Sequence, residues 1–212
     1  MRAIDAADGS VEEKVLAVVK DTWTANKRIV FSGDNYSDEW HAEAEERGLA
    51  NLEQSPEAFP WLIEPSTVEV FGRYEVLSER ELHSRYEVAV EQYITTINIE
   101  AETAASIART MLLPAAVRWL ATLEGVNGGT GIARLTEETS GLVDRFTEAI
   151  FELEAANVNH PEDDEGLEAA KYVQTEVFGA MDAVREIADK LERIVPDDLW
   201  PLPKYSEILF IK

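Results

Sequence analysis

Residues 78–123, SERELHSRYEVAVEQYITTINIEAETAASIARTMLLPAAVRWLATL, decide the fold. The stretch opens on a capping box, in which Ser78 accepts from the N–H three residues on and Glu81 reaches back to the Ser78 N–H. It contains no glycine, and no proline before Pro114. Apolar residues return at Leu82, Tyr86, Val90, Tyr93, Ile97, Ala101, Ala104, Ala108, Met111 and Leu112. Steps of three and four trace one face of a helix. At ~1.5 Å per residue the run is roughly 65–70 Å long, so it needs helical partners along its length or a bend at Pro114.

Two further long helices are expected, over 136–159 (Leu142, Phe146, Ala149, Ile150, Leu153) and 163–195 (Leu167, Val173, Val177, Phe178, Met181, Val184, Ala188, Leu191, Ile194). Short links between long helices imply antiparallel neighbours. Gly179, inside the third, costs ~1 kcal/mol against alanine and suggests a close helix contact.

Upstream, Ser10 with Glu13 caps a helix to Asn26 carrying Val11, Val15, Val18, Val19 and Trp23 on one stripe. A second helix, DEWHAEAEERG, takes its cap from Asn35 or Ser37 and ends at Gly48. Ser55-Pro56 opens a short helix through Ile63, and a capping box at Ser66 and Glu69 starts another to Gly72. Arg28–Phe31 is a short β-branched and aromatic run that needs a partner. The tail WPLPKYSEILFIK is too apolar at Ile208–Ile211 to hang free, so it docks or adds an edge strand beside Arg28–Phe31.

The expected fold is therefore all-α. It is a helical bundle of three long antiparallel helices plus short N-terminal helices, with 29–31 and the C-terminal tail as the place for a minor two-stranded β element. The expected organisation is a single domain over 1–212, with short helices and loops over 1–77, the long-helix bundle over 78–195 and a docking tail over 196–212.

Composition narrows function mainly by exclusion. The 212 residues include 42 Asp and Glu against 19 Lys and Arg, a net charge of −23. Such a surface repels nucleic acid and anionic membrane. There is no cysteine for a disulfide, thiolate nucleophile or thiolate-bound zinc. MRAIDAADGS has no apolar core of a signal peptide, and no apolar run approaches the ~20 residues of a membrane span. The expected location is cytoplasmic, with no nucleic-acid or membrane partner.

No catalytic, cofactor-binding or metal site emerges. GVNGGTG (125–131) lacks the Lys-Ser/Thr of a phosphate loop and follows a helix, so it reads as a linker. The histidines are His41, His83 and His160. The residues three before them are Asp38, Arg80 and Asn157, which breaks the Glu-x-x-His spacing of a di-iron bundle. His41 with Glu45 and His83 with Glu87 have i,i+4 spacing, more often a surface hydrogen bond than a metal site. The acidic run 161–166 lacks the ligand pattern of a calcium loop and reads as a helix start. Thr95–Glu100 is a poor helix former held by packing, with Asn98 expected in a hydrogen-bonded polar contact.

Three segments together resemble one family. RIVFSGDNYSDEWHAEAEERGLANL (28–52), LSERELHSRYEVAVEQYITTINIEAETAASIARTMLLPAAVRWL (77–120) and PLPKYSEILFIK (201–212) are similar to the C-terminal region of type III glutamine synthetases. The likeness runs from about residue 10 to 212 and is weakest at 125–170. It implies the C-terminal helical structural and assembly domain of a large cytoplasmic, homo-oligomeric ligase. That enzyme makes glutamine from glutamate, ammonia and ATP with Mg2+ or Mn2+. The implied partners are the catalytic domain of the same subunit and other subunits. No catalytic residue of the family aligns here, so the chain alone is expected to be inactive and to hold no cofactor. The alternative from the residues is a free-standing acidic helical adaptor or regulator. In either case Ile29–Phe31, the Ser32–Ser37 turn or the tail is expected to face a partner.

Overall fold

The computed structural model describes residues 9–30, 33–159, 161 and 166–209, and the chain divides into two compact units, 1–54 and 55–212. In the first, α1 (Val11–Asn26) starts at the expected capping box, Ser10 with Glu13, and runs into a 3-10 turn, Lys27–Ile29. α2 (Asp38–Glu46) is capped by Ser37. It ends in a Schellman motif at Gly48 (φ 69°): the Gly48 and Leu49 N–H groups donate to the Glu45 and Ala44 carbonyls, each at 2.9 Å.

In the second unit, α3 (Ser55–Ala58) passes into the 3-10 segment Phe59–Leu62, and α4 spans Pro65–Arg73. The capping box expected at Ser66 and Glu69 does not form. Pro65 occupies the first helical turn, where its fixed φ and missing N–H cost nothing, so the N-cap is Glu64 and the helix starts two residues earlier. Glu69 instead pairs with Arg73 one turn on.

The first long helix runs α5 (Glu79–Ile107), a π-helical segment (Ala108–Leu112) and α6 (Leu113–Glu124), with Ser78 and Glu81 forming the expected capping box. Pro114 does not interrupt it. In the π segment the Leu113 N–H reaches the Ala108 carbonyl, five residues back, and Pro114 falls in the first turn of α6. The wider turn also shifts the register: Leu112 is buried while Met111 faces out.

α7 (Thr130–Ala156) begins earlier than expected, because the Gly129 carbonyl already accepts from Ile132 and Ala133. The third long helix comprises α8 (Leu167–Tyr172), a π segment (Val173–Val177) and α9 (Phe178–Glu192); the expected start at Asp163 lies outside the described residues. Gly166 caps α8 in the left-handed region (φ 72°). The close contact expected at Gly179 is absent, since a Cβ there would meet nothing within 4 Å.

The pairings fix an up-down-up order. Arg109 meets Glu154 and Asn157 meets Asn98, so α7 runs against the first helix. Tyr172 donates to the Ala156 carbonyl and Arg145 acts on Glu186, so the third helix runs against α7. Phe146, Ile150, Leu153, Val173, Val177 and Leu191 form the centre of the core with Ala101, Ala108 and Ala116 of the first helix. Small residues on the first helix admit large ones from the other two, giving the interdigitation of a dense interior. A smaller cluster of Tyr86, Val90 and Ala170 is covered by Phe59 and Ile63, with Phe59 edge-on to Tyr93 at 5.7 Å.

The β element does not form among the described residues. Ile29 belongs to the 3-10 turn, and the tail folds as a short helix, α10 (Tyr205–Ile208); Phe31 and 210–212 lie outside the described residues. The run at 28–30 finds its partner in a side chain. Arg47 donates through Nη1 to the Arg28 carbonyl at 2.5 Å and the Val30 carbonyl at 3.0 Å. Its own orientation is fixed by Glu43, through Nε at 3.0 Å, and by Trp40, over whose ring it lies.

Candidate functional site

The residues with chemical potential are dispersed. His41 Nδ1 lies 3.4 Å from Asn51 Nδ2 and 4.0 Å from Glu53 Oε1, a surface contact with a loop rather than with Glu45. His160 lies outside the described residues. Among the described residues no group of three or more His, Asp or Glu is arranged to hold a metal ion. The 125–129 link leads into α7 with no side-chain cap at its helix start and no Lys-Ser/Thr. These residues do not fit an ATP–metal site.

Carboxylates shifted from their ordinary range owe it to helix caps or neighbours. The Ser10 N–H and hydroxyl lower Glu13, and those of Ser78 lower Glu81. Lys190 lowers Glu186, first by its hydrogen bond and then by its charge. Each is a stabilised surface carboxylate, the opposite of a general acid held protonated.

Asn98 departs from expectation. Its backbone carbonyl accepts a long 3.5 Å bond from Asn157 Nδ2, but its side-chain oxygen is shielded with no partner among the described residues. The Thr95–Glu100 run keeps its helix because Ile97 is buried opposite α7, while Thr95, Thr96 and Ile99 face outward.

Two concave surfaces stand out. One, of about 470 Å³, lies in the second unit. Ala108 and Leu112 of the first π segment, Val184 and Trp200 line it, with Tyr205 and Ile208 of the tail at its edge. The tail is anchored there: Lys204 Nζ donates to the Val195 carbonyl at 3.0 Å and pairs with Asp197 at 2.5 Å. The Tyr205 N–H donates to Glu192 at 3.0 Å, and Arg185 bonds the Tyr205 hydroxyl. The cleft is mostly apolar, with Asp182, Asp189 and Glu192 among its lining.

The other surface is in the first unit. A groove of about 330 Å³ runs between α1 and the 27–30 turn, lined by Val18, Val19, Trp23, Ile29 and Val30. Each of the three segments expected to face a partner carries exposed residues: Ile29 and Val30, Tyr36 of the 33–37 turn, and Ile208 and Leu209 of the tail. Sequence reasoning missed the groove because an apolar stripe normally announces a buried face. It also missed Arg47, whose one legible signal was its i,i+4 spacing from Glu43.

Comparison with known proteins gives this arrangement a context. The model of the family described as Glutamine synthetase C-terminal domain matches residues 14–127. The chain is 31% identical to a glutamine synthetase of Butyrivibrio fibrisolvens over 94% of its own length and 30% of the relative's. It is 32% identical to the type-3 glutamine synthetase of Dictyostelium discoideum over 92% of its length and 28% of that protein. A glutamine synthetase of Bacteroides fragilis is 27% identical, with 95% of this chain and 30% of the relative aligned. The chain thus spans about 30% of the length of the curated relatives it matches, and more than half of it carries the family's signature. On this footing the chain belongs to the glutamine synthetase C-terminal domain family.

Proposed function

We propose that this chain is the structural and assembly region of a type III glutamine synthetase subunit, contributing scaffold and contact surface while glutamate, ammonia, ATP and divalent metal are handled elsewhere in the enzyme. The observation that carries the reading is the pairing of the family match over 14–127 with a set of described residues that offers no metal group and no phosphate loop. Both units share the role. The bundle provides a rigid core, and the exposed 29–30 segment, the 33–37 turn and the tail face the catalytic region or neighbouring subunits of a cytoplasmic homo-oligomer. Among the described residues no helix is long and apolar enough to cross a membrane.

The test is an assay of the isolated chain with ATP, glutamate, ammonium and Mg2+ or Mn2+. We expect no glutamine. Glutamine formed at a rate above the no-protein control would overturn the assignment.

A further inference from the structure

Resting on that reading, we infer that the apolar face of α1 is the seat on which the preceding, catalytic part of the glutamine synthetase polypeptide docks. Val11, Val15, Val18, Val19 and Trp23 fall within one arc of about 140°, wider than the ~100° stripe that ordinarily turns toward a core. Yet α1 buries none of its residues, and Leu16 and Trp23 are 69% and 58% exposed. Across the described residues of 9–54, Ala44 is the sole buried side chain. A small unit that folds on its own hides about 60% of its unfolded surface, and this one cannot. Its apolar face is built for cover that comes from outside it.

The groove beside α1 is shaped to receive that cover. Asn26 Nδ2 donates to the Thr22 carbonyl at 2.8 Å, so the polar edge is satisfied internally and the floor stays apolar. Arg47 holds the opposite wall through the Arg28 and Val30 carbonyls, which keeps Ile29 and Val30 presented. Preformed apolar concavity with its polar groups already paired lowers the cost of docking.

The occupant follows from the relatives. They are about three times as long as the stretch they share with this chain, and the shared family is named for the C-terminal end. The remaining two-thirds in such an enzyme therefore precedes α1, and the family match begins at residue 14, inside that helix. A segment tethered directly to α1 meets its face at the high effective concentration of a linked partner, so a modest apolar contact suffices.

The experiment places a benzophenone-bearing residue at Leu16 in the complete synthetase subunit, with the same probe at Asp21, about 140° round α1 from Leu16 and away from the apolar arc, as control. We expect irradiation to join Leu16 to peptides from the region preceding this chain, in the same or a neighbouring subunit, and Asp21 to give at least tenfold less product. Trp23→Asp should lower glutamine formation at least tenfold while residues 55–212 keep their resistance to protease. Crosslinks from Leu16 to another copy of α1, to residues 55–212, or to nothing, in an enzyme that makes glutamine, overturn this inference alone. A complete subunit that makes no glutamine before any substitution overturns the proposed function and the docking inference together.

Discussion

Gly166→Ala should destabilise the bundle out of proportion to the single methyl it adds. Gly166 holds φ 72° at the start of α8, and its carbonyl accepts the Ala170 N–H at 2.9 Å. An L-residue there pays ~1–2 kcal/mol of left-handed strain, offset by the ~0.4–1 kcal/mol that replacing glycine removes from unfolded-chain entropy. The new Cβ would also stand 3.1 Å from Val90 Cγ1, and Val90 sits in the small core cluster, so it has little room to yield. Overpacking of this kind costs ~1–3 kcal/mol. Together the terms give a loss of about 1–5 kcal/mol, and at ~2–4 °C per kcal/mol for a unit of this size, a Tm lower by roughly 2–20 °C. Gly141→Ala is the control: Gly141 lies inside α7, exposed, with open space where its Cβ would sit. It should gain up to ~1 kcal/mol from helix propensity. Thermal melts followed by circular dichroism read both, and Gly166→Asn separates the two costs. Asparagine tolerates the left-handed region but brings the same Cβ, so a smaller loss than alanine's assigns the effect to strain, and an equal loss assigns it to Val90. A Gly166→Ala protein as stable as Gly141→Ala would refute the αL cap and with it the packing of α8 against α5.

Phe146, fully buried at the centre of the core, should cost ~3–5 kcal/mol when cut to alanine, read as a lower urea midpoint. Arg47→Ala removes the donor that holds the Arg28 and Val30 carbonyls. The expected result is faster amide exchange and proteolysis at 27–30, with the melting of the 55–212 unit unchanged. Ser78→Ala removes the hydroxyl that helps hold Glu81 below its ordinary value of 4.5, so the Glu81 carboxyl should titrate higher by 13C NMR. The sign follows from a folded pKa that lies below the unfolded one. The wild-type contribution is complete above 4.5 and fades as pH falls through the depressed folded value, so the mutant's stability should vary less with pH across that acidic window.

Local signals were legible wherever one interaction dominated. Ser10 with Glu13, Ser78 with Glu81 and the Gly48 terminator formed as read, because each is complete within a few residues. The stripe Leu82, Tyr86, Val90, Ile97 and Ala101 is the buried face of α5, because a 3.6-residue period with one apolar side leaves a bundle helix one orientation. Competition between signals was harder to resolve. At 65–69 a capping box and a proline both claimed the helix start, and Pro65 won because its ring fixes φ. At 108–114 a proline met a helix too well packed to break, and the chain answered with a π turn that periodicity alone does not foresee. At 28–31 the strand propensity was real, but a side chain, Arg47, took the carbonyls that a neighbouring strand would have taken.

The two units differ in how far they satisfy themselves, and the docking inference rests on that difference. The bundle buries large side chains from all three long helices, including Ile97, Phe146, Ile150, Leu153 and Leu191, and its surface carboxylates are exposed or paired. It has a core of its own, which suits a scaffold, while its cleft and the tail's Ile208 and Leu209 stay open. In the first unit the stripe on α1 is as apolar as a core face, but it has no core to face. With 42 acidic residues available for solubility, keeping Val11, Val15, Leu16, Val19 and Trp23 together on one helix is the less soluble choice. It is sustained only if something covers them in the working protein. The unsatisfied apolar face of α1 is what the docking inference explains, and the crosslink from Leu16 is what decides it.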